Sequence, residues 1–98
     1  MKFAAVIEYI QDKDKVESIR PLHRQYLRDL LAKGNMFATG PFEDGYGALI
    51  VYEAETLEQA EKFLKGDPFH VGGVFVQWKI RPWKVVMGNA ALMPAPPV

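Results

Sequence analysis

The stretch Ser18-Ile19-Arg20-Pro21-Leu22-His23-Arg24-Gln25-Tyr26-Leu27-Arg28-Asp29-Leu30-Leu31 decides how the rest of the chain is read. Ile19, Leu22, Tyr26, Leu27, Leu30 and Leu31 recur at helical spacing, with arginines, Gln25 and Asp29 between them. Proline is accepted in the first turn of a helix, so Pro21 predicts a start close to Ser18. Gly34-Asn35 supplies the stop. Working outward, Phe3 to Ile10 is apolar and partly β-branched and reads as a first strand. The charged Gln11 to Lys15 reads as a solvated loop. Beyond the helix, Met36 to Gly40 and Ala48 to Glu53 read as strands joined through the turn-rich Pro41 to Gly47, with Asp44-Gly45 at the tip. Thr56 and Gln59 have capping-box spacing ahead of Leu57, Ala60, Phe63 and Leu64, and Gly66 ends that helix. Val74 to Ile80 is the last strand, and Pro82 marks an edge or bulge near its end.

The element order is therefore β-α-β-β-α-β. Right-handed crossovers make this a ferredoxin-like α+β sandwich, an antiparallel sheet with both helices on one face. The domain is expected over residues 1–87, with residues 88–98 a proline-rich tail that is flexible or draped. Both sheet faces carry apolar side chains: Phe3, Ala5 and Ile7 oppose Ala4 and Val6, while Ile50 and Tyr52 oppose Leu49 and Val51. Two helices cover one face only. A second copy of the sheet is the simplest cover for the other, which predicts a homodimer through the sheet face.

Ninety-eight residues with 12 basic and 12 acidic side chains give a formal charge of zero. That balance argues against a nucleic-acid or anionic-membrane partner. The absence of cysteine excludes disulfides, a thiolate nucleophile and thiolate metal sites. No HxH, HxxxH or HExxH spacing joins His23 and His70, and no phosphate-loop pattern occurs, so neither metal nor cofactor is expected. No apolar run approaches a membrane span or a signal sequence, so the default is a soluble cytoplasmic domain.

His23 lies four residues after Ile19 and four before Leu27, near the middle of the apolar stripe. An imidazole drawn inside needs a hydrogen-bonding partner. It is either a satisfied core residue or an acid–base group, since histidine exchanges protons near neutral pH. Gly66-Asp67-Pro68 reads as an N-cap followed by a first-turn proline. A capping carboxylate has a second oxygen, so Asp67 can cap and also hold His23, fixing the tautomer and favouring the protonated ring. Phe42, Tyr46, Trp78 and Trp83 are candidate walls for a small substrate. Arg20 and Arg24 are solvated, with the option of meeting an anion.

Arg20-Pro21-Leu22-His23-Arg24-Gln25-Tyr26-Leu27, then Gly34 and Gly40-Pro41, resembles the first half of the YciI-like (YCII-related) domains. Asp67-Pro68-Phe69-His70-Val71-Gly72-Gly73-Val74 resembles their second motif, and Ile80-Arg81-Pro82-Trp83-Lys84 their closing strand. The resemblance implies a dimeric α/β-barrel of ferredoxin-like subunits and an active site on a His–Asp pair, carried here by His23 and Asp67. It implies no role for His70 or the tail. The family is similar in fold to muconolactone isomerases and cofactor-free monooxygenases, and includes a dehydrochlorinase of a chlorinated hydroxyhydroquinone. The expected function is cofactor-independent elimination or isomerisation of a small apolar or aromatic substrate. A non-catalytic binding or accessory module and cofactor-free oxygenation are the alternatives.

Overall fold

The computed structural model describes residues 1–95. Its elements run β1 (Lys2–Tyr9), α1 (Lys13–Ala32), β2 (Met36–Pro41), β3 (Gly47–Glu53), α2 (Leu57–Gly66), α3 (Pro68–Val71) and β4 (Phe75–Trp83). The strands form one antiparallel sheet in the order β2-β3-β1-β4, the ferredoxin-like arrangement. Each pair of parallel-running strands is separated by a third, so α1 and α2 make split β-α-β crossovers onto the same face.

Alternation along β1 sorts the two faces. Phe3, Ala5, Ile7 and Tyr9 are buried beneath the helices with Ile50 and Tyr52 of β3. Their neighbours Val6 and Leu49 point the other way and stay exposed. Trp83, paired with Lys2, lies on this open face with its ring 6.3 Å from that of Phe37. Gly47 faces β1 so closely that a Cβ would overlap the Ile7 carbonyl oxygen. Gly45, at the hairpin tip, has the positive φ of 83° that an L side chain resists.

Three expectations need correction. Helix α1 starts at Lys13, not near Ser18, and Pro21 stands inside it. Asp12 is the N-cap, accepting the Lys15 N–H at 3.1 Å, so part of the expected loop is the first turn of the helix. Pro21 is exposed, where water can serve the carbonyl that its missing N–H leaves free. Val16 ahead of it and His23, Leu27 and Leu30 behind it anchor one continuous buried stripe. Leu22 falls off that stripe and is exposed. Strand β4 continues through Pro82 to Trp83, because β4 is an edge strand and a ring nitrogen can face away from its one partner.

The capping box at α2 is present: Thr56 Oγ1 accepts the Gln59 N–H, and Gln59 Oε1 accepts the N–H of Glu55. After β4 the chain makes one short 3-10 turn at Ala90–Leu92. Pro96 and Pro97, part of the expected tail, lie outside the described residues. Among the described residues no helix is long and apolar enough to cross a membrane.

Candidate active site

The site is built where α1 meets the end of α2. Helix α2 closes with the Asp67 N–H donating to the Leu64 carbonyl at 3.2 Å. The backbone of Asp67 is extended (φ −66°, ψ 132°), which ends one helix and lets the same residue open the next. Its Oδ1 accepts the Phe69 N–H at 2.9 Å, and Pro68 fills the following position, where a missing N–H costs nothing. This small α3 cap fixes the carboxylate within the protein, fully removed from solvent.

His23 reaches the same oxygen. Its Nδ1 donates to Asp67 Oδ1 at 2.7 Å across 44 residues of sequence. The ring is stacked on Phe69, with centroids 3.8 Å apart and planes 10° from parallel, and meets Phe75 edge-on at 6.4 Å. Tyr9 backs both phenylalanines, at 5.3 Å from Phe69 and 5.8 Å from Phe75. With Nδ1 committed to the carboxylate, Nε2 is the ring nitrogen that has no protein partner among the described residues. About 7% of the side chain remains exposed, so the ring is sheltered without being sealed.

Phenols around the carboxylate feel the same environment. Burial, then the Asp67 charge, pushes Tyr9 up to about 12, an effect that Arg20 partly offsets. Burial first and Asp67 second also raise Tyr52 and Tyr26. Tyr26 donates to the Phe63 carbonyl at 2.7 Å. Two buried side-chain atoms, Tyr52 Oη and Asp67 Oδ2, make no hydrogen bond among the described residues.

The expected aromatic walls are not gathered around His23. Phe42 and Tyr46 pair with each other at 6.1 Å in the β2–β3 hairpin; the Tyr46 carbonyl accepts the Tyr9 N–H, which puts the hairpin beside the Tyr9 end of β1. Trp78 is on the helix side of the sheet and meets His70 edge-on at 5.3 Å. Trp83 is on the opposite face, because its register partner Lys2 alternates against Phe3. The rings that touch the imidazole are Phe69 and Phe75. Phe69 was legible as the residue after a capped Asp-Pro, and Tyr9 as the next member of the Phe3, Ala5, Ile7 alternation. His70 Nδ1 is spent on the Lys65 carbonyl at 3.1 Å. Among the described residues no three His, Cys, Asp or Glu side chains gather as metal ligands would.

A model of the YCII-related domain matches residues 1–84, which includes both halves of the His23–Asp67 pair. The chain belongs to the YCII-related domain family. Protein YciI of Escherichia coli O6:H1 is 32% identical over an alignment covering 80% of this chain and 94% of that protein. The YciI of Shigella flexneri matches to the same extent. Among solved structures, 5-chloro-2-hydroxyhydroquinone dehydrochlorinase (TftG) from Burkholderia phenoliruptrix AC1100, in complex with 2,5-dihydroxybenzoquinone, superposes with a TM-score of 0.74. It shares 23% identity and covers 86% of this chain and 94% of its own, a likeness of fold.

Proposed function

We propose that this family member is a cofactor-independent acid–base enzyme that acts on a small apolar or aromatic molecule by elimination or isomerisation. The observation that carries the proposal is the 2.7 Å bond from a buried imidazole to a fully buried carboxylate, with the other ring nitrogen left free. Support by likeness comes from TftG, a dehydrochlorinase whose complex holds a dihydroxybenzoquinone.

In this scheme Nε2 takes a proton from the substrate while Asp67 holds Nδ1–H and balances the imidazolium that forms. In an elimination the freed electron pair forms the new π bond and the halide leaves with its own pair. The imidazolium then returns its proton to water. In an isomerisation the same proton is delivered to another carbon. Stacking on Phe69 limits ring rotation, so the base stays aimed. Phe42 and Tyr46 are proposed as walls reached from the hairpin, and Trp78 as a wall at the sheet edge. Residues 1–87 are proposed as the domain, with the following segment appended to it, and the open sheet face as the surface through which two copies pair.

Chloride release from halogenated hydroquinones, including 5-chloro-2-hydroxyhydroquinone, tests the scheme with and without oxygen. His23→Ala is expected to lower turnover about 10²–10⁴-fold, the usual contribution of general acid–base catalysis. An unchanged rate in a correctly folded His23→Ala protein ends the proposal. Binding without turnover would favour a binding module, and product that requires oxygen would favour oxygenation.

A further inference from the structure

Tyr52 Oη and Asp67 Oδ2, the two buried oxygens without a hydrogen bond among the described residues, belong to side chains fully removed from solvent. Their chemistry is complementary. A phenol has one proton to give, and an ionised carboxylate only accepts. Protein interiors seldom leave such groups unpaired, because the hydrogen bonds given up to water are then not replaced.

The fold brings the two groups toward one place. Tyr52 stands on the helix side of β3, with its ring centroid 6.1 Å from that of Phe63 in α2. The Phe63 carbonyl accepts the Tyr26 hydroxyl at 2.7 Å. That hydroxyl oxygen also lies 2.8 Å from where a Cβ on Gly66 would stand, and Gly66 is the residue before Asp67. Tyr52 and Tyr26 therefore both lie beneath the last turn of α2, where the carboxylate enters the core. Burial, then the Asp67 charge, raises the Tyr52 phenol, which keeps its proton and remains a donor. The other nearby donors are already used. The Phe69 N–H and His23 Nδ1 both go to Oδ1, and Tyr26 goes to Phe63. Tyr9 also feels the Asp67 charge, but it keeps some exposure and its hydroxyl is not among the enclosed, unpaired atoms.

We propose that Tyr52 is a positioning residue of the His23–Asp67 pair, its hydroxyl donating through one enclosed water to Asp67 Oδ2. Buried waters characteristically bridge polar groups that protein atoms leave unpaired. The tie holds the carboxylate against rotation about its Cβ–Cγ bond, so Oδ1 stays on both of its donors. It also draws negative charge toward Oδ2 and away from the oxygen that His23 uses. Tyr52 acts through Asp67 and does not touch the substrate. This inference rests on the acid–base reading of His23 and Asp67, and adds to it a residue that the sequence marks only as a core member of β3.

The His23 Nδ1–H proton is the probe, followed by proton NMR of the nitrogen-labelled protein. Tyr52→Phe keeps the ring and its packing and removes only the donor. Charge then gathers on Oδ1, the bond from His23 strengthens, and the Nδ1–H resonance is expected to move downfield. Tyr26→Phe removes a neighbouring phenol oxygen that is spent on a backbone carbonyl, and is expected to leave the resonance in place. A crystal structure of the wild-type protein is expected to show a water within hydrogen-bond distance of both Tyr52 Oη and Asp67 Oδ2, lost in Tyr52→Phe. An unmoved resonance in folded Tyr52→Phe, an equal shift in Tyr26→Phe, or a wild-type Oδ2 that no water reaches would overturn the proposal. Neither readout uses turnover, so failure here leaves the acid–base reading standing. Unchanged turnover in His23→Ala, with the resonance shift and the water both found, ends that reading and leaves the hydrogen-bond network in place.

Discussion

Asp67 Oδ1 receives two hydrogen bonds at once, from the Phe69 backbone N–H at 2.9 Å and from His23 Nδ1 at 2.7 Å. One oxygen thereby joins a helix cap to an imidazole, and the two duties separate by substitution. Asparagine can still accept the Phe69 N–H, so Asp67→Asn should retain the cap and fold. It removes the negative charge that supports an imidazolium, and turnover should fall by about 10²-fold or more. Asp67→Ala removes the shared acceptor and strands two buried donors, with an expected loss of about 2–5 kcal/mol. Urea denaturation beside turnover checks both; equal stability of the two variants would show that the cap contributes nothing.

Phe69 is buried completely and stacked on the imidazole, so its removal acts on both packing and orientation. Phe69→Ala should cost about 3–5 kcal/mol. Phe69→Leu keeps much of the volume, with a smaller expected loss of about 1–2 kcal/mol, yet gives His23 no flat surface. Turnover in Phe69→Leu should therefore fall more than stability does. Full activity in that variant would show that Asp67 alone orients the ring.

Alkaline pH should weaken the fold through its tyrosines. Burial, then the Asp67 charge, raises Tyr9 to about 12, and Tyr52 and Tyr26 are shifted in the same direction. The unfolded chain releases phenolic protons near pH 10, before the folded one does. The stabilisation from keeping these phenols neutral is complete below about pH 10 and is lost as pH rises toward 12; for Tyr9 it is on the order of 2 kcal/mol. Urea midpoints at pH 8, 10 and 11, followed with tyrosinate absorbance, should fall across that window. A flat midpoint with all tyrosines ionising near pH 10 would contradict it.

Much of this arrangement was legible in the residues, and the parts that were not have physical causes. The element order followed from hydrophobic period and turn chemistry, the ferredoxin-like topology from the handedness of crossovers, and the capping boundary at Thr56 from the hydroxyl and amide spacing. The apolar stripe puts His23 inside and in need of a partner, and Asp67 reads as a cap with an oxygen to spare, but their pairing comes from the resemblance to YciI-like domains and not from spacing. Helix α1 starts ahead of the point that Pro21 suggests because Asp12 caps it from within a charged run that reads as a loop, and packing on both sides of Pro21 holds the helix together. Ring neighbours depend on side-chain direction across elements, which linear spacing does not encode; hence Phe69 and Phe75, not Trp78 or Trp83, surround the imidazole. Since Pro21 sits inside a helix and exposed, Pro21→Ala should stabilise the protein by about 1–2 kcal/mol, the helix gain less the added freedom of the unfolded chain. A lower urea midpoint for Pro21→Ala would mean that the helix is shaped around the ring.

The open face of the sheet gives the last prediction. Val6, Leu49, Val76 and Trp83 are all more than a third exposed, and a shallow hollow between Ala4, Leu49, Val51 and Trp83 lies among them. Exposed apolar side chains gathered on one face, here rimmed by Lys79 and Arg81, are what a partner surface would cover, and a stable pair needs about 1,200–2,000 Å² of total buried area. Face-to-face pairing of two such sheets would remove these side chains from water, each contributing at roughly 25 cal/mol per Å² of apolar area. The protein should therefore sediment at twice its 11.1 kDa mass at micromolar concentration. Val6→Glu combined with Leu49→Glu would force charges against apolar surface and should halve that mass while leaving the helix-covered core folded. Wild-type protein that sediments as a single chain would sink the pairing, and the open face would then need another partner.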